Sequence, residues 1–109
     1  MHRLCGFRRV EEEIMRFAFT HTHVYPGGHA HLSGADVTAR SDAPCVVEFS
    51  DGIVLPATCS LVADAVLLRL PAYRTTRGTQ IEPNGWMLKP GTKRDEWIVV
   101  QRLASAGRS

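Results

Sequence analysis

Between Met15 and Leu103, short apolar runs recur about every eight to twelve residues, most of them closed by a proline or a glycine. That punctuation constrains the fold more than any other feature of the chain. A run of five or six residues suits a strand and is too short for a typical helix. The expected fold is therefore all-β: a β-sandwich or small β-barrel of about six to eight short antiparallel strands, with little helix. With 109 residues the chain suits one domain. Residues 15–103 form that domain, residues 1–14 a loose arm or short helix, and residues 104–109 a frayed tail.

From Met15 to Tyr25 the odd positions carry Met, Phe, Phe, His, His and Tyr, while the even ones carry mostly smaller groups. This period of two predicts one strand over Met15–Tyr25. Pro26-Gly27-Gly28 then turns the chain, His29 begins the return, and Val37–Arg40 continues the extended path. Cys45–Phe49 and Ile53–Leu55 read as a hairpin about Ser50-Asp51-Gly52, with Pro44 and Pro56 at the strand ends. Thr58–Asp64 reads as a connection and Ala65–Leu70 as a half-buried strand stopped by Pro71. Turns are expected at Pro83-Asn84-Gly85 and over Pro90–Asp95, each before a tryptophan-led strand.

Composition narrows the functional classes. Hydrophobic residues make up 44% and charged residues 22%, which argues against disorder, and no apolar stretch is long enough to span a bilayer. Near the start, arginines and Glu11-Glu12-Glu13 stand where a signal peptide would need an apolar run. Three cysteines, Cys5, Cys45 and Cys59, are an odd number at wide spacing, which fits a reducing cytoplasm better than a disulfide scaffold. Cys45 and Cys59, in apolar surroundings, are expected to serve as small core residues.

Four of the five histidines cluster at His21, His23, His29 and His31, as two His-x-His pairs around the Pro-Gly-Gly turn. Residues two apart on a strand share a face, so each pair aims two imidazoles one way. A two-residue Pro26-Gly27 loop would put the pairs on opposite faces. A three-residue loop with Gly28 left-handed would put all four on one face, where opposed Cβ atoms about 4.5–5.5 Å apart allow imidazoles to share an ion. Zinc is the default ion for that set, with copper or nickel as alternatives, in a cupin-like metal-binding barrel. The competing view is that these are ordinary sheet histidines bonded to backbone or water, since Asp36 is the sole acidic residue between Phe17 and Ala39. The same scarcity would let the segment gain positive charge on acidification, as a pH-responsive surface would.

Charge is uneven: residues 1–59 carry net −2 and residues 60–109 net +4. Arg74, Arg77, Lys89, Lys93 and Arg94 offer cations for single-stranded nucleic acid, with Trp86 and Trp97 as stacking platforms. The plainer reading makes both tryptophans core residues and the arginines a solvated edge. No GxSxG, phosphate loop, dinucleotide fingerprint or HExxH occurs. The leading expectation is a non-enzymatic interaction module that presents a sheet face or edge to a protein partner or to its own copy. Metal binding and nucleic-acid binding stand behind it.

Overall fold

A computed structural model describes residues 14–38 and 40–103. The expected arm over residues 1–14, apart from Ile14, and the expected tail over 104–109 lie outside the described residues. Nine strands and no helix are described: β1 (Met15–Phe19), β2 (His29–Ser33), β3 (Ala43–Glu48), β4 (Val54–Val62), β5 (Ala65–Leu70), β6 (Tyr73–Arg74), β7 (Gln80–Ile81), β8 (Asn84–Pro90) and β9 (Glu96–Leu103). Seven close into a barrel in the order β1-β2-β9-β8-β5-β4-β3, and β6 pairs only with β7. No described helix is long and apolar enough to cross a membrane.

Alternation builds the core. Phe17 and Phe19 on β1, Ala30 and Leu32 on β2, Cys45 and Val47 on β3, and Leu55, Ala57 and Cys59 on β4 all point inward and are buried. Val66, Leu68, Leu70, Trp86, Leu88 and Val99 complete the interior. A closed barrel has no free edge, so every strand of it packs one face inward and pairs on both sides.

Several sequence expectations need correction. The pairs are antiparallel except one, because β1 and β3 run parallel, with Met15 beside Cys45 and Phe17 beside Val47. A parallel pair needs a long crossover, and β2 with its flanking loops supplies it. Pro44 and Pro56 lie inside β3 and β4, not at their ends. The Phe49 N–H donates to Ile53 O at 2.9 Å, which fixes the hydrogen-bonding parity of this hairpin. With Pro44 opposite Thr58 and Pro56 opposite Val46, both prolines fall at non-hydrogen-bonded positions and no ladder donor is missed. Thr58–Val62, expected as connection, extends β4 and pairs with β5. Asn84 and Gly85 belong to β8 rather than to a turn, and residues 36–38 are not strand.

β1 stops at Phe19, six residues short of the expected Tyr25. Residues 20–28 instead cross one end of the barrel. Gly27 N–H donates to Val99 O at 2.7 Å, Val99 N–H to Gly28 O at 2.9 Å, and Ser50 N–H to His21 O at 3.0 Å. These bonds hold the loop across the opening, and Val24 is buried beneath it. The turn at residues 50–52 and the β6–β7 hairpin lie at this same end. Residues 34–38 and 40–42, the Ala63-Asp64 turn and the loop 91–95 lie at the opposite end, as the strand registers require.

Candidate functional site

A cleft of about 720 Å³ lies at the hairpin end, enclosed by the crossing loop, the 50–52 turn, the β6–β7 hairpin and the adjoining ends of β8 and β9. Its walls combine Tyr73, Ile81, Val24 and Trp86 with Arg77, Arg102 and the threonines of the hairpin.

The hairpin is short because Arg77-Gly78 must turn tightly. Gly78 has φ +91°, the conformation glycine tolerates best. Thr75 N–H donates to Thr79 O at 2.9 Å, and Thr79 N–H returns to Thr75 Oγ1 at 3.0 Å. Two attachments hold the hairpin to the barrel. Tyr73 stacks on Phe49 with ring centroids 5.7 Å apart, and the Thr76 hydroxyl donates to Asp51 Oδ2 at 3.3 Å. Burial, with the Asp51 carboxylate nearby, pushes the Tyr73 phenol up, so it stays neutral.

Arg102 reaches the cleft through an irregularity. On β9, Gln101 pairs with Met87 while Val99 pairs with Leu88, leaving Val100 as an extra residue. This bulge reverses the phase of the strand, so Val99 and Arg102 both share the face of their inward partners Leu88 and Trp86. Arg102 accordingly lies over the Trp86 ring, its guanidinium carbon 5.9 Å from the centroid. The indole is pinned in turn: Trp86 Nε1 donates to Asn84 Oδ1 at 2.7 Å, and Asn84 Nδ2 donates to Glu82 O at 2.8 Å.

Electrostatically the cleft favours anions. Among the described residues neither Arg77 nor Arg102 joins a salt bridge. Asp51, the one carboxylate in the lining, already accepts from Thr76 and from the Ile53 N–H at 3.3 Å.

The four clustered histidines are not gathered into one set. Neither expected hairpin register occurs, because the ladder closes at Phe19 opposite Ala30 and the Pro-Gly-Gly turn sits inside the crossing loop. Gly28 N–H donates to Tyr25 O at 3.0 Å and Gly27 has φ +91°, the pattern of a type II turn. His21 and His23 flank Tyr25, at ring-centroid distances of 4.8 and 5.1 Å. His29 and His31 alternate with inward Ala30 and Leu32 and so stand on the outer wall. His29 Nδ1–H donates to Glu96 Oε2 at 2.6 Å. Among the described residues no group of three or more His, Cys, Asp or Glu side chains is placed to share a metal ion.

The five cations divide as well. Arg77 lines the cleft, and Arg74 beside it donates to Gly78 O at 3.4 Å. Lys93 and Arg94 border a smaller hollow at the opposite end, with Trp97, and Lys89 lies exposed near that end of β8. Arg102 and Asp51 were not singled out by sequence reasoning for this site. The only local hint was the aromatic and hydroxyl-rich company of Arg77. Comparison with protein-family models, curated proteins and solved structures finds no match.

Proposed function

We propose that this protein is a non-enzymatic binding module whose cleft at the hairpin end takes a small organic anion with a flat apolar body. The observation that carries this reading is the pair of guanidiniums, Arg77 and Arg102, uncompensated by salt bridges among the described residues, in a mainly apolar cleft of about 720 Å³. That volume lies within the range of about 300–1,000 Å³ typical of ligand sites. Binding is favoured over catalysis because Asp51, the one carboxylate in the lining, already accepts two hydrogen bonds that build the cleft, and His23, the one imidazole there, packs against the Tyr25 ring with no carboxylate partner among the described residues.

Pairing through a free strand edge has little support, since the barrel closes on itself. Among the described residues the exposed large hydrophobics, Ile14, Val54, Val62 and Val100, lie at separate places on β4, on β9 and before β1. A track for single-stranded nucleic acid would need its cations in line, whereas Arg77 and the Lys93-Arg94 pair stand at opposite ends. We take the cytoplasm as the compartment, a reading that the free thiols of Cys45 and Cys59 support.

Titration with adenosine monophosphate and with a naphthalene sulfonate, followed by amide and indole N–H chemical shifts, tests the proposal. Shifts should concentrate at Asp51, Thr75–Thr79, the Trp86 indole and Arg102. Replacing Arg77 or Arg102 by alanine should weaken binding about fivefold or more, as expected for a charge-assisted contact of about 1 kcal/mol. Shifts centred on the Lys93 end, or unchanged affinity in the double alanine variant, would overturn it.

A further inference from the structure

Three sulfur atoms converge inside the barrel, away from the cleft. Met15 is the direct register partner of Cys45 across the parallel β1–β3 pair. Cys45 lies diagonally across β3–β4 from Cys59, since Cys45 faces Ala57 and Cys59 faces Ala43. All three share the inward parity of Phe17, Val47 and Leu55. The Cys59 thiol lies 3.7 Å from the Met15 thioether. The two cysteines are buried and unbridged. Ala43 and Ala57 occupy the other corners of this patch with small side chains.

We propose that Met15, Cys45 and Cys59 form a site for a soft, thiophilic metal ion, with monovalent copper the ion whose preferences they match. Thiolate and thioether ligands select copper(I) over zinc, whose usual set is four nitrogen or sulfur ligands. A trigonal ion with bonds of about 2.3 Å spaces its sulfurs about 4.0 Å apart, close to the 3.7 Å found between Cys59 and Met15. Met15 is only half-buried, so the ion enters beside its thioether without opening the barrel. On binding, two S–H bonds break, two copper–thiolate bonds form, and the thioether donates a lone pair. Two protons leave to solvent, copper stays monovalent and no group is oxidised.

The test is anaerobic titration of the full chain carrying Cys5→Ser, which silences the third thiol, with copper(I) in competition with bicinchoninate. One equivalent should bind, with a thiolate-to-copper charge-transfer band and a raised melting temperature. Cys45→Ala or Cys59→Ala should abolish the band, and Met15→Leu should weaken binding on the order of tenfold while preserving packing. No binding by the folded Cys5→Ser protein, a band that survives loss of Cys45 or Cys59, or unchanged affinity in Met15→Leu would each overturn the site. X-ray absorption on the copper-loaded Cys5→Ser protein decides the matter even if the alanine variants fail to fold. Three sulfurs at about 2.3 Å support the site, whereas nitrogen ligands would assign the ion to histidines and overturn it.

Discussion

At the scale of single residues, backbone conformation and parity explain most of what is unusual here. Ala63 turns β4 into β5 with φ +55°, a left-handed conformation that crowds a Cβ against the neighbouring carbonyl. Glycine removes that crowding at the cost of a more flexible unfolded chain. Ala63→Gly should therefore stabilise the protein modestly, by about 0.5–1 kcal/mol, raising the melting temperature by a few degrees. A lower melting temperature would show that the turn is unstrained. Arg102 teaches the opposite lesson about legibility. Alternation alone cannot reveal that Val100 is an extra residue, so the side chain that completes the cleft was invisible in the sequence. Arg77 was legible, because Tyr73 and the threonines around it already marked a polar, flexible tract.

At the scale of elements, one carboxylate ties the β8–β9 connection to β2. Glu96 Oε1 accepts from the Lys93 N–H at 3.1 Å, while Oε2 accepts from His29 on β2. The His29 hydrogen bond chiefly, then the Lys93 backbone, holds the Glu96 carboxyl below its ordinary value of about 4.5. A carboxylate with a depressed folded pKa binds fewer protons in the folded than in the unfolded state. Its stabilisation is complete above the ordinary value and is lost as pH falls through the folded one. Chemical denaturation as a function of pH should show an acid-limb loss in the wild type that Glu96→Gln lacks. Gly91→Ala should reproduce part of that change, because a Cβ there would lie 2.6 Å from Glu96 Oε1 and displace the carboxylate. Parallel pH curves for wild type and Glu96→Gln would reject the latch.

At the scale of the whole molecule, closure depends on β1, the strand that joins β2 on one side and β3 on the other. Phe17 at its centre is fully buried. Phe17→Ala should cost about 3–5 kcal/mol, a large share of the roughly 5–15 kcal/mol that stabilises a typical domain. Urea melts should show a single transition at much lower denaturant; an unchanged midpoint would mean that the barrel does not rest on this strand. The class of fold was legible because Gly and Pro spacing and period-two alternation are local properties. Ala65–Leu70 was read residue for residue for the same reason. The crossing loop was not legible. His21, His23 and Tyr25 continue the alternation of Phe17 and Phe19, but the barrel end needs a cover, and the hydrogen bonds to Val99 and Ser50 together with the burial of Val24 outweigh two more pairs of ladder. By itself, then, the sequence determined an all-β chain, the turns at Ser50-Asp51-Gly52 and Pro90–Asp95, and the alternation that buries Phe17 and Phe19. Tertiary structure alone decided the parallel β1–β3 closure, the division of the histidines, and the meeting of Arg77 with Arg102 and of Met15 with two cysteines. Those groups come from strands distant in sequence, and only barrel closure and one extra residue on β9 bring them together.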